Sequence, residues 1–181
     1  EKVPVQAGDV LLVAGGVPHA IGPGVFMVEI QEPTDFVVRC EYTHGGLELD
    51  EGARTMGLGL EKVLDLFDFS AYPLAEVKER FGPKPVVLSE GAGGREEVLL
   101  AAPQTDRLEL RRIRARGECA LQTDGRFSVL IATAGAGRIR AGGRELPLQQ
   151  WSRCFLPAAL TDVAVAGSLE LARCLPPQPA D

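Results

Sequence analysis

Apolar and polar positions alternate in short bursts along most of this chain, with glycine or proline closing each burst. Lys2–Val5, Val10–Val13, Val25–Gln31 and Phe36–Tyr42 read as strands on this pattern. The period changes in the middle. Leu60, Val63, Leu64 and Phe67 recur at helical spacing with Glu61, Lys62 and Asp65 between them, which predicts one apolar stripe on a short helix. Pro73 followed by Leu74, Val77 and Phe81, with Gly82-Pro83 as a stop signal, predicts a second. From Lys84-Pro85 the strand pattern returns. Phe127, Val129 and Ile131 share one face, Gly142-Gly143 closes a hairpin between Arg138-Ile139-Arg140 and Glu145-Leu146, and Val163 and Val165 open a further pair after Thr161-Asp162. Pro176-Pro177-Gln178-Pro179 cannot continue a sheet and is expected to fray.

These elements predict a mostly β protein with a short helical insertion. Residues 85–176 are long enough to close a small antiparallel barrel of their own, and 177–181 form a tail. Residues 1–50 are different, because about four strands cannot close a sandwich and would leave long apolar edges open. Other polypeptide is expected to complete that sheet. The chain starts at Glu1 inside an apparent strand and without an initiator Met, so the sequence reads as a fragment whose upstream half is absent. Residues 51–84 are the helical connector.

Composition narrows the function classes. The net charge of −6 is spread along the chain, so the attraction to phosphate backbones that drives nucleic-acid binding is missing. No apolar run is long enough to span a membrane, and no basic-then-apolar leader opens the chain, which predicts a cytoplasmic protein. The four cysteines contain no C-x-x-C pair. With two histidines, a multi-histidine metal site built from this chain alone is nearly excluded.

Gly8-Asp9-Val10-Leu11-Leu12-Val13-Ala14-Gly15-Gly16-Val17-Pro18-His19 combines a Gly-Asp turn, a buried strand, a glycine corner and a histidine opening the next strand. By itself such a histidine is more often structural than a ligand. Further on, Glu29 and Gln31 fall on one face of a strand, with Val28 and Ile30 on the other. The first run resembles the second conserved motif of the cupin superfamily, Gly-Asp, four residues, Pro-x-Gly-x-x-His, with Ala14 replacing the proline. His19, Glu29, Thr34-Asp35 and Arg39 together resemble the signature of type I mannose-6-phosphate isomerases, and Arg54-Thr55-Met56-Gly57 with Phe67-Asp68-Phe69 is similar to their bacterial branch. The resemblance is strong over residues 7–69 and weaker beyond.

It implies a cupin double-stranded β-helix (jelly roll), here a partial first barrel followed by a second, degenerate cupin domain. It also implies a zinc-dependent interconversion of mannose 6-phosphate and fructose 6-phosphate, with His19 as Zn2+ ligand, Glu29 as acid/base and Arg39 as the group that binds phosphate or developing negative charge. Each role has a plainer competitor. Glu29 reads equally well as a solvated strand carboxylate, Arg39 as a structural partner of Asp35 or Glu41, and Gln31 as a hydrogen-bonding strand residue. Arg54 either binds substrate or caps the next helix, and His44 is a loop residue. In the family the other zinc ligands, a Gln-x-His pair and a glutamate, lie upstream, so the chain alone is expected to be inactive and to need the upstream half of the same polypeptide. In the second domain Trp151–Asp162 aligns with the same cupin frame with Asp162 in the histidine slot, which implies a packing domain without a metal. A non-catalytic, sugar-binding or regulatory cupin is the alternative function.

Overall fold

A strand persists only where its backbone groups find partners, and this condition separates the two parts of the chain. The computed structural model describes residues 2–178, and the chain divides into two units, Glu1–Gly82 and Pro83–Asp181. The tail expected over 177–181 lies outside the described residues from 179 onward.

In the first unit, residues 2–42 form no regular element. The four expected strands are therefore not made. Their sequences alternate suitably, but each lacks a neighbouring strand, and many of their apolar side chains stay in solvent, from Leu11 at 38% exposed to Phe26 at 74%. Only a two-residue hairpin forms, β1 (Thr43–His44) against β2 (Leu47–Glu48). Gly45 and Gly46 turn it with φ of 59° and 81°, the left-handed pair that a tight hairpin demands. His44, expected in a loop, lies in this hairpin.

Three short helices follow. Asp50 Oδ1 accepts a bond from Ala53 N (2.7 Å) and caps α1 (Glu51–Thr55). The buried Thr55 ends it, donating to the Glu51 carbonyl (2.7 Å) while accepting from Gly59 N (3.2 Å). The predicted stripe on α2 (Leu60–Leu64) is cut short: Leu66 N bonds Val63 O and Phe67 N bonds Leu64 O, so the last turn tightens and Phe67 meets Phe69 instead. Of the stripe only Val63 is buried. Helix α3 (Leu74–Phe81) runs from Pro73 to Gly82 as the punctuation predicts. Among the described residues no helix is long and apolar enough to cross a membrane.

The second unit is one antiparallel sheet. Strands β3 (Val86–Gly91), β4 (Gly94–Leu100), β5 (Glu109–Ala120), β6 (Ser128–Ala141), β7 (Arg144–Gln149), β8 (Arg153–Leu156) and β9 (Val163–Leu175) are ordered β3-β4-β5-β9-β6-β7, with β8 also on β6. Alternation decides the core: Ile113 and Ala115 of β5, Leu130, Ala132 and Ile139 of β6, and Val165, Leu169 and Leu171 of β9 are all buried. Phe127 and Val129 are exposed, so the face they share with Ile131 is the outer one; Ser128, Leu130 and Ala132 face inward. The hairpin at Gly142-Gly143 forms as expected, Arg140 opposite Glu145. Gly117, Gly167 and Gly137 lie opposite one another on β5, β9 and β6. A Cβ on Gly167 would sit 2.6 Å from the Gly137 Cα, so this glycine row is where neighbouring backbones approach too closely for side chains.

Candidate active site

The glycine corner before His19 is locked by contacts within the first unit. Gly16 has φ of 83°, and a Cβ there would meet the Leu66 carbonyl oxygen at 2.7 Å. Its own carbonyl accepts a bond from Asp68 N at 2.8 Å. Leu12 N donates to Phe81 O (2.7 Å), which ties the preceding segment to the end of α3. The corner thus delivers His19 to the surface, where its Nδ1 lies 2.9 Å from the Val17 carbonyl oxygen. A carbonyl only accepts, so Nδ1 is the donor and Nε2 is the ring nitrogen left to face a ligand.

Glu29 and Gln31 are exposed, as His19 is, so the three side chains are not enclosed in the shared cavity that strand alternation predicts. The walls of such a cavity would be the strands that residues 2–42 do not form. Thr34 Oγ1 accepts from Phe36 N (3.2 Å) in a local turn. Arg39 is half-buried, and its N–H donates to the Arg54 carbonyl at 2.9 Å. Arg54 grips the same segment twice more. Its Nη2 donates to the Cys40 carbonyl (3.1 Å), and its guanidinium lies 3.8 Å above the Tyr42 ring. Arg54 is thus neither the cap of the next helix nor a surface charge: it staples α1 to the backbone that carries Arg39.

A zinc site needs three or four protein donors. His19 offers one, and among the described residues no group of three His, Cys, Asp or Glu side chains stands close enough to hold a metal ion. The described residues of this chain do not by themselves fit a zinc ion.

The sequence reading passed over the charged interior of the second unit. Arg173 and Glu96 have 1% and 0% of their side chains exposed and meet at 3.1 Å, Nη1 to Oε1. Arg173 also donates to Ser128 Oγ (3.1 Å) and the Gln122 carbonyl (2.7 Å). Arg111 reaches Glu96 (3.4 Å), Glu109 and Asp124 (2.9 Å), and Arg126 reaches Glu109 (2.8 Å), Asp124 and the Pro176 carbonyl (2.7 Å). Three guanidiniums thus face three carboxylates. Burial pushes the Asp124 carboxyl up, but the Arg126 and Arg111 guanidiniums beside it prevail and hold it at about 2. Burial pulls the Arg173 guanidinium below its ordinary range, against the pull of Glu96. The signal was available in Glu109-Leu110-Arg111-Arg112-Ile113, where alternation puts Glu109 and Arg111 on the same face as the core residue Ile113. Burial also raises the thiols of Cys119, Cys154 and Cys174, the last to about 11, so none is a poised nucleophile.

Comparison with known proteins agrees with the fold. Residues 106–176 match the family model of the mannose-6-phosphate isomerase cupin domain, a stretch where the resemblance read from sequence was the weaker. The chain is 25% identical over 170 residues to a mannose-6-phosphate isomerase of Streptococcus mutans, covering 94% of this chain and 49% of that protein. It therefore spans about half the length of the curated relative it matches. The crystal structure of a phosphomannose isomerase variant from Salmonella typhimurium superposes with a TM-score of 0.52 and 19% identity over 65% of this chain and 28% of that one. The antiparallel, mostly β architecture is that of a cupin.

Proposed function

We propose that this chain, a relative of the mannose-6-phosphate isomerases, is part of a zinc-dependent aldose–ketose isomerase that interconverts mannose 6-phosphate and fructose 6-phosphate in the cytoplasm. The observation that carries the reading is the similarity along 94% of the chain to an isomerase about twice as long. In this reading the upstream half of the same polypeptide pairs with the apolar segments of residues 2–42, which are left without strand partners here, and supplies the remaining metal donors. His19 contributes Nε2, its ring oriented by the Nδ1 bond to Val17. A zinc ion held by His19 and donors from the upstream half would supply Lewis acidity toward the sugar carbonyl and adjacent hydroxyl. Glu29 moves the proton between C2 and C1, and Arg39 holds the phosphate or the developing enediolate charge.

The test is metal analysis with an isomerase assay on the chain joined to its upstream half. His19→Ala should lower zinc content and turnover together. Arg39→Lys should keep the metal and slow turnover by roughly 10²-fold or more, since a point charge lacks arginine's planar fork. Stoichiometric zinc in His19→Ala, or wild-type turnover in Arg39→Lys, would refute the assignments. The Ala14 that stands where the cupin motif has proline and the many functions one fold can host support a second reading, a sugar-binding cupin without catalysis. It predicts sugar binding with neither metal nor turnover in the joined polypeptide.

A further inference from the structure

The segment that carries His19 makes no strand, yet it is held at three points by the stretch from α2 to the end of α3. Asp9, which closes the Gly-Asp turn by accepting from Gln6 N (3.1 Å), lies 4.0 Å from Lys78 Nζ. Leu12 N donates to the Phe81 carbonyl (2.7 Å), and Asp68 N donates to the Gly16 carbonyl (2.8 Å). The last two holds are joined to each other. Asp68 Oδ2 accepts from the Tyr72 hydroxyl (3.3 Å), Asp68 Oδ1 accepts from Ser70 N (2.9 Å), and the Tyr72 and Phe81 rings meet edge to face with centroids 5.8 Å apart. Arg80 completes the group, its guanidinium 4.5 Å above the Tyr72 ring. The bonds from Ser70, supported by Tyr72 and Arg80, hold the Asp68 carboxyl below its ordinary range, so it stays an acceptor. Beyond Gly16 the path continues to the histidine: Val17 N donates to Ala14 O (3.2 Å), and the Val17 carbonyl oxygen lies 2.9 Å from His19 Nδ1.

We propose that Asp68 and Tyr72 are positioning residues for His19: together they clamp the Leu12–Gly16 stretch at both ends, so that the imidazole is already presented in this chain by itself. Asp68 is exposed and Tyr72 only half-buried. Such a surface network adds little to a core, and its effect lies in the one backbone shape that it selects. This gives a task to Asp68 of the Phe67-Asp68-Phe69 motif, whose residues take no part in the chemistry proposed above. What His19 is presented to rests on the isomerase reading; the clamp belongs to this chain alone.

The chain has two histidines, so imidazole NMR reads His19 with His44 as an internal control. In the full chain the His19 Nδ1 signal should be that of a hydrogen-bonded donor, and amide hydrogen exchange should find Leu12 and Asp68 protected. Tyr72→Leu removes the hydroxyl and the ring contact at once. It should speed exchange at both amides by a similar factor, roughly tenfold for the loss of contacts of this size, and move the His19 signal toward that of a solvated imidazole while His44 stays unchanged. Tyr72→Phe keeps the ring on Phe81 and loses the bond to Asp68, so it should restore protection at Leu12 and not at Asp68. Protection at Gly57, whose amide bonds Gly52 O in α1 (2.9 Å), should be unaltered in both variants and shows that the fold survives. On the chain joined to its upstream half, Tyr72→Leu should lower kcat by roughly tenfold or more with KM held, since a displaced imidazole spoils geometry rather than binding. An unmoved His19 signal in Tyr72→Leu, faster exchange at only one of the two amides, or an equal disturbance of His44 would each overturn the proposal. A joined polypeptide of native sequence that shows the clamp by NMR and no isomerase turnover would refute the isomerase reading and not the clamp.

Discussion

Replacing Arg173 by Met keeps most of the side chain's length and removes its charge, so it isolates what the guanidinium does inside the second unit. In the native unit Glu96 is fully buried and shares Oε1 between Arg173 (3.1 Å) and Arg111 (3.4 Å), with Gln122 N on Oε2 (3.3 Å). Without Arg173 the interior holds one carboxylate more than it has guanidiniums, and the Ser128 hydroxyl and Gln122 carbonyl lose a donor as well. Breaking a buried pair on one side costs about 3–5 kcal/mol, mostly through the orphaned charge. For a unit of this size each kcal/mol moves Tm by roughly 4–8 °C, so a fall of at least ~12 °C is expected, read from the fluorescence of Trp151, which lies in the same unit. The decisive comparison is Arg173→Met with Glu96→Leu. That double variant leaves Arg111 and Arg126 against Glu109 and Asp124, again balanced, and should recover most of the loss. If the single variant costs under ~1 kcal/mol, the pair is not desolvated as its burial implies. If the double variant is as unstable as the single one, the loss came from packing and the electrostatic argument fails.

The same network predicts a pH dependence. Asp124 is held at about 2 in the folded unit against an ordinary 3.8, so its contribution to stability is complete above pH ~4 and lost as pH falls toward ~2. Asp124→Asn should remove that acid limb in equilibrium unfolding measured across this range; an unchanged limb would assign it elsewhere. Gly135→Ala should destabilise the second unit by several kcal/mol on denaturant unfolding, since φ is 76° and the new Cβ would collide with the Ser168 carbonyl oxygen. Arg54→Ala should raise hydrogen exchange at the Arg39 amide, because the Cys40 bond and the Tyr42 contact that hold the segment are lost; equal protection in the variant would show that Arg54 is not the staple.

The second unit was legible in the sequence wherever one strand buries one face against its own neighbours. The Gly142-Gly143 hairpin, the start of β9 at Val163 and the end of α3 at Gly82 all follow from local signals. The first unit was not, and the reason is physical. Val10–Val13 or Val25–Gln31 has strand composition, but composition sets only which face would be buried, while a ladder requires a second backbone at hydrogen-bonding distance. For the same reason the α2 stripe shrank to Val63: helical period sets orientation, and the length of the helix depends on what the stripe can pack against.

The candidate site divides along the same line. Motif spacing locates His19, Glu29 and Arg39, and the chain reveals what holds two of them: the Val17 carbonyl that orients the His19 ring and the Arg54 staple beside Arg39. Sequence did not show the staple, because Arg39 and Arg54 meet through a backbone carbonyl, and a carbonyl has no residue type. It also passed over the charged interior of the second unit, where alternation was read for apolar residues alone. Glu96, Arg111 and Arg173 occupy inward positions that a hydrophobic pattern would mark as errors, yet each is buried and paired. An inward charge on a strand thus means a partner on a neighbouring strand. Here the register supplies it: Arg111 lies opposite Arg173, and Glu96 lies opposite Ile113, two residues along from Arg111. A one-residue slip of β5 against β9 would turn Arg111 out of the sheet and leave Glu96 with fewer donors, so the charges that the sequence pattern treats as faults hold the strands to a single alignment.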